Sequence, residues 1–224
     1  MNVGILLAAG ASRRMGRSKP LVRARGVSFL AAGLRHLWSV CDAVVVVLGS
    51  GAPRVRATVE AEFERLVRSG RLRRDLKAAR RHGAAGLEAR FVVNRRWPEG
   101  MLSSTRVGLR AALALDPEVV LVLPVDHPAV RPETVRALAM TMREALGAFG
   151  KKRQRSRFAY ALIPRYRRRR GHPIVLSPAL ARAVASDRGA ADLSDAVRRS
   201  ARLVGYLDCA DAGVLRNRNT PSTR

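Results

Sequence analysis

The chain has 224 residues, 47% of them hydrophobic, which suits one large α/β domain with a real core; aromatics are only 4%, so that core must be Ala, Val and Leu. No apolar run reaches the roughly 18 residues a membrane helix needs, and no basic segment precedes Val3 as a signal peptide requires, so a cytoplasmic location is expected. The formal net charge of +26, from 43 Lys+Arg against 17 Asp+Glu, raises nucleic acid as a partner, beside the plainer reading of a solvated cationic surface.

Val3-Gly4-Ile5-Leu6-Leu7 reads as a first buried strand. It runs into a small-residue loop, Ala8-Ala9-Gly10-Ala11-Ser12-Arg13-Arg14-Met15-Gly16-Arg17-Ser18-Lys19. Small residues let backbone N–H groups approach an anion, and Arg14 and Lys19 would neutralise it. The loop is neither GxxxxGK[ST] nor GxGxxG, so it points to a polyphosphate without naming the chemistry.

A helix follows at 28–40, with Leu30, Leu34 and Leu37 on one face. Residues 42–48 form a second apolar strand, ended by Gly49-Ser50-Gly51. Such runs without alternation suit a parallel sheet covered on both faces. A helix is predicted at 53–67, a short strand at 91–94, and a helix at 103–115 that Asp116-Pro117 breaks. Strand 119–124, helix 132–146, and strands 158–163 and 203–207 complete the series. Repeated βα units imply a doubly wound, mostly parallel sheet in a three-layer α/β/α arrangement, one domain over 1–224. Basic insertions are expected near 69–90 and 147–170, and Cys41 and Cys209 read as reduced, structural thiols.

Ligands bind outside the carboxyl ends of strands in such sheets. Besides the first loop, three polar clusters fall there. Asp126 follows strand 119–124 between Pro124 and Pro128, where a carboxylate suits Mg²⁺, with His127 as turn residue or substrate contact. Ser103 and Ser104 open a helix, either as plain caps or as part of an anion site at the free N–H groups. Gly171-His172-Pro173 is a tight turn into Ile174-Val175-Leu176.

Together these clusters resemble the signature of the MobA-like NTP transferases, closest to the molybdenum cofactor cytidylyltransferase branch. The resemblance rests on Leu7-Ala8-Ala9-Gly10 with Ser12, Arg14-Met15-Gly16 and Lys19, then Glu99-Gly100-Met101 with Ser103-Ser104, Asp126-His127-Pro128, Gly171-His172-Pro173, Asp187-Arg188-Gly189-Ala190 and Asn219-Thr220-Pro221. It implies a Rossmann-like fold of the nucleotide-diphospho-sugar transferase type. It also implies transfer of a nucleoside monophosphate, CMP from CTP given Ala9, onto a small phosphorylated acceptor such as molybdopterin, with release of pyrophosphate. In that scheme Leu7, Ala8, Ala9, Gly10, Ser12, Gly16, Ser103 and Ser104 bind the nucleotide. Arg14, Lys19 and Asp126 are catalytic, Asp126 and Asn219 hold Mg²⁺, and His127, Gly171 and His172 meet the acceptor. Asn219 stands where the branch usually carries Asp, and Ser222-Thr223 stand where it usually carries an acidic residue. Sugar or alcohol phosphates are alternative acceptors, and a nucleotide-binding protein without transferase activity is a further alternative. A nucleic-acid binder would use the arginines at 65–81 and 151–170, but it would have few rings for base stacking. The plainer reading of those arginines is a solvated cationic surface.

Overall fold

The apolar runs become the centre of one sheet. In the computed structural model, which describes residues 1–11, 18–24, 26–68, 88–150 and 157–218, β1 (Asn2–Ala8), β4 (Ala43–Leu48) and β6 (Val119–Pro124) are buried along their whole length. β1 lies between β4 and β6, parallel to both, and β4 pairs in parallel with β5 (Glu88–Val93). Beyond β6 come β9 (Ile174–Leu176), β7 (Tyr160–Tyr166) and β10 (Leu203–Asp208), giving the order β10-β7-β9-β6-β1-β4-β5. β7 and β10 are parallel, whereas β9 is antiparallel to β6 and β7. β8 (Arg169–Arg170) pairs with β7, and β2 (Arg23–Ala24) forms a small separate ribbon with β3 (Val27–Ser28).

Strand alternation sorts the core into two layers. Leu6, Val44, Val46, Leu121 and Leu123 face α1 (Phe29–Trp38), α2 (Ala52–Arg68) and α4 (Pro132–Ala148), packing on Phe29, Leu34, Val59 and Leu138. Ile5, Val45, Val47, Val120 and Val122 face the opposite way. They pack on Leu109 of α3 (Met101–Leu113), Leu180 of α5 (Pro178–Ser186) and Ala196 of α6 (Leu193–Ser200). Each fully buried Leu contributes roughly 1.5–3 kcal/mol. Truncating the solvent-inaccessible Leu34 to Ala would cost about 2–5 kcal/mol. The fold is the three-layer, mostly parallel α/β/α sheet that the sequence predicts.

Local chemistry sets the boundaries. Ser28 caps α1, its hydroxyl accepting the Ala31 N–H at 3.1 Å. Three expectations need correction. The 103–115 helix starts at Met101 behind Gly100, whose φ of 102° suits glycine, so Ser103 and Ser104 sit inside the first turn. The predicted strand 158–163 runs Tyr160–Tyr166 and continues through a turn into β8, so 160–170 of the expected second insertion belongs to the sheet. The predicted 91–94 strand begins at Glu88, which leaves only 69–87 and 151–156 of the expected insertions, outside the described residues. β9, α5 and α6 were not predicted. Ser177-Pro178 and Asp192, the caps of the two helices, were their readable signals.

Candidate active site

Between β1 and β6 the strand order reverses, and their carboxyl ends open a crevice. A cavity of about 370 Å³ lies there, walled by Ala8, Gly10, Lys19, Trp97, Ser104 and Asp126 among others. Lys19 opens a 3₁₀ turn (Lys19–Leu21) in which Val22 N–H closes onto the Lys19 carbonyl at 3.1 Å. Its ammonium reaches across to Asp126, Nζ to Oδ2 3.2 Å, with both side chains mostly buried. The first loop is tied to the end of β4 by the Ser50 N–H, 3.1 Å from the Ala9 carbonyl. Gly49 makes this packing possible. A Cβ there would run into the Ala9 carbonyl and stand 2.8 Å from the Trp97 Cβ.

Asp126 is the electrostatic centre. Its second oxygen, Oδ1, accepts from His127 Nδ1 at 3.0 Å, which fixes the imidazole tautomer. Burial pushes the Asp126 carboxyl up, but His127, by hydrogen bond and charge, and the Lys19 ammonium outweigh it, so the group lies below its ordinary value. His127 is buried and packs edge-on against the His172 ring, with centroids 4.8 Å apart. Burial, reinforced by His127 and opposed by Asp126, pushes His172 down to about 4, so it is neutral at physiological pH. The carbonyl of Asp126 accepts the Arg218 N–H at 2.8 Å, which brings the last described residue to this strand end.

A second cavity, about 560 Å³, adjoins the first, and Met101 lines both. Ile163, Ile174, Leu193, Val197 and Val204 give it an apolar floor, while Arg170, Tyr206 and His172 stand on its wall. Tyr206 carries two guanidiniums over its ring, Arg165 at 4.5 Å and Arg170 at 5.2 Å. Gly171 is required by close approach. A Cβ would meet the Val214 carbonyl, while the neighbouring His172 N–H donates to that same oxygen at 2.9 Å.

The structure therefore brings Leu7, Ala8, Ala9, Gly10, Lys19, Ser104 and Asp126 around one cavity, and Gly171 and His172 around the next. Ser103 lies off the cavity wall. Its proton is shared between the Arg96 and Gly100 carbonyls, each 2.9 Å away. His127 lies behind Asp126 and outside the second cavity's lining. Ser12, Arg14, Gly16 and Asn219 lie outside the described residues. Trp97 and Arg170 stand beside the sequence clusters at the strand ends without a role of their own, and Asn94 and Tyr206 carry no signal of a site in the sequence. The turn residues Trp97-Pro98 and the Arg167–Arg170 run were visible, but their convergence depends on the tertiary fold.

Among the described residues no group of three or more His, Cys, Asp or Glu side chains could hold a metal ion by itself. A hard carboxylate at the strand end does fit Mg²⁺, which commonly takes one or two protein carboxylates and completes its shell with phosphate oxygens and water. Asp187 has another task. Its Oδ1 accepts the Gly189 and Ala190 N–H groups at 2.8 and 3.2 Å, and Oδ2 accepts from Arg199 at 3.2 Å.

The family model described as MobA-like NTP transferase domain matches residues 4–203. A curated relative, the nicotine blue oxidoreductase of Paenarthrobacter nicotinovorans, is 33% identical over 215 residues, covering 93% of this chain and 87% of the relative. A nucleotidyl transferase structure from Methanothermobacter thermautotrophicus superposes with a TM-score of 0.63 at 21% identity, covering 98% of this chain and 92% of that one. The Mycobacterium tuberculosis protein Rv0371c, solved in complex with manganese, has a TM-score of 0.58 at 21% identity, covering 93% of this chain and 88% of that one.

Proposed function

The chain belongs to the MobA-like NTP transferase domain family, and from that premise we propose that it transfers a nucleoside monophosphate, CMP from CTP, to a small phosphorylated acceptor. The single observation carrying this is the Lys19–Asp126 pair lining a crevice that adjoins a second cavity through Met101. One cavity takes the triphosphate and the other the acceptor, so the reacting groups meet at their shared wall.

In this reading an oxygen of the acceptor phosphate attacks the α-phosphorus, and the bond from that phosphorus to the α–β bridging oxygen breaks. Pyrophosphate leaves with the bond's electron pair. An acceptor phosphate is already anionic at neutral pH, so no strong general base is needed. Catalysis is positioning plus charge stabilisation. The loop after β1 cradles the phosphates through backbone N–H groups around Gly10, and Lys19, with Arg14, neutralises the leaving pyrophosphate. Asp126 would hold Mg²⁺, with Asn219 of the segment that follows Arg218 as the second oxygen donor. The ion when bound supplies charge neutralisation at the α-phosphate. His127 holds the Asp126 carboxylate in place through Oδ1. Gly171 and His172 shape the acceptor side.

The Leu-Ala-Ala-Gly form of the first motif supports CTP over GTP. The second cavity's apolar side chains and its arginine-bearing wall support an acceptor with a planar ring system and a phosphate, such as molybdopterin. No helix among the described residues is long and apolar enough to cross a membrane. We place the reaction in the cytoplasm, where nucleoside triphosphates are made. The test is pyrophosphate release by purified protein with Mg²⁺, screened over NTPs and phosphorylated acceptors. Absence of release across the whole screen counts against the transferase reading.

The 33% identical relative favours a second reading, an oxidoreductase. A reduced nicotinamide dinucleotide is also a polyphosphate, and hydride transfer is the cofactor's own chemistry. Its substrate would then occupy the apolar second cavity. Substrate-dependent oxidation of NADH or NADPH without pyrophosphate release would select this reading over the first.

A further inference from the structure

We propose that Asn94 is a positioning residue that sets the hydrogen-bond polarity with which Ser104 reads the base of the bound nucleotide. The inference rests on the first cavity being the NTP site.

Asn94 is buried just past β5, its N–H donating to the Leu48 carbonyl at 2.8 Å. Its amide orientation is fixed by its neighbours. Oδ1 accepts the Arg96 backbone N–H at 3.0 Å. A flipped amide would set NH₂ against that N–H, donor against donor. The NH₂ group must therefore face the serines, and it donates to Ser103 Oγ at 2.9 Å and Ser104 Oγ at 3.0 Å. Both amide hydrogens are used, and both hydroxyl oxygens are acceptors. Ser103 passes its own proton to the Gly100 and Arg96 carbonyls.

Ser104 differs. It is buried, it lines the cavity beside Trp97, and among the described residues its proton goes to no acceptor. Its remaining capacity is one O–H donor, held in place by Asn94. A fixed donor selects a ring acceptor: cytosine offers the N3 lone pair where uracil presents N3–H. An unmet donor or a donor–donor contact inside a buried pocket discriminates strongly.

Asn94→Asp reverses the logic with almost no change of shape. A carboxylate still accepts the Arg96 N–H, but it has no hydrogens to give. The Ser104 hydroxyl must then donate to it and turn its lone pairs to the cavity.

The test is titration of the purified protein with CTP and UTP in the presence of Mg²⁺, read by intrinsic tryptophan fluorescence. Trp97 lines the cavity, while Trp38 is buried in the core. The wild-type chain should prefer CTP over UTP. Asn94→Asp should lower the CTP-to-UTP affinity ratio about tenfold, and Ser104→Ala, which keeps the helix, should bring the ratio near one. In the Ser104→Ala background Asn94→Asp should no longer change the ratio, which separates polarity from the added charge. Should Asn94→Asp fail to fold, the ratios for Ser104→Ala and Asn94→Ala decide. An equal loss for both nucleotides, or an unchanged ratio in every variant, overturns the inference while the transferase reading stands. Failure of the wild type to bind any NTP overturns both.

Discussion

The ammonium of Lys19 lies 3.2 Å from the carboxylate of Asp126, across the mouth between β1 and β6. The pair satisfies two mostly buried charges in the ligand-free protein. In the proposed reaction both are needed by the substrate, Lys19 by the pyrophosphate and Asp126 by the ion. Binding of an NTP with its metal ion would therefore replace the Lys19–Asp126 pair by a Lys19–phosphate contact and an Asp126–ion contact. Lys19→Ala and Asp126→Ala should each lower pyrophosphate release by a factor on the order of 10²–10³ or more. Circular dichroism should show the native fold in both. Near-normal turnover in folded Asp126→Ala would remove Asp126 from the chemistry.

Gly49 tests the packing that holds the crevice open. A methyl group there meets the Ala9 carbonyl and the Trp97 side chain together. The carbonyl belongs to backbone already hydrogen-bonded to Ser50, so relief must come from Trp97 or the loop. Gly49→Ala should cost about 1–3 kcal/mol in urea unfolding and weaken nucleotide binding at the same time. A variant as stable as the parent would show that the loop yields freely.

Much of this site was readable because it sits at the ends of buried strands. The unbroken runs at Val3–Leu7 and Val119–Pro124 announce strands covered on both faces, and Lys19 and Asp126 follow them in sequence. Asn94 was not readable as a site residue, because its role depends on meeting an N–H two residues on and two hydroxyls on the next helix. Tyr206 with Arg165 and Arg170 depends on pairing β10 with β7, elements 43 residues apart at the Arg165–Asp208 contact. β9 escaped notice because it is three residues long and antiparallel in a sheet whose other long strands are parallel.

His172 makes the stability of the protein sensitive to acid. Its folded-state pKa of about 4 lies below the ordinary 6.5, first through burial and then through His127, with Asp126 opposing. In the unfolded chain the ring takes a proton near pH 6.5, while the folded chain resists it. The stability it contributes is full above pH 6.5 and falls as pH drops towards 4, by at most roughly 3 kcal/mol. The lowered Asp126 group loses its contribution separately, below the ordinary carboxylate value of 3.8. Urea unfolding across this range should show the slope, and His172→Gln should flatten it between pH 6.5 and 4. An unchanged slope in His172→Gln would assign the acid sensitivity elsewhere.

Among the described residues that line the second cavity, Arg170 is a cation with no carboxylate partner. Arg165 beside it is already held by Asp208, Nε to Oδ1 2.9 Å and Nη2 to Oδ2 2.7 Å. Arg198 on the same wall is paired with Asp195. Arg170 stacks on Tyr206 and pairs with no carboxylate among the described residues. A guanidinium oriented by a ring and not neutralised by a carboxylate suits bidentate recognition of a phosphate. Arg170→Ala should therefore raise the KM for the phosphorylated acceptor about 10- to 100-fold, with kcat and the KM for NTP little changed. Arg170→Lys should fall between, since it keeps the charge but loses the planar fork. Tyr206→Phe keeps the stacking face and should resemble the parent, whereas Tyr206→Ala should resemble Arg170→Ala. Steady-state pyrophosphate release against acceptor concentration reads all four variants. Equal KM values for parent and Arg170→Ala would place the acceptor's phosphate away from this wall.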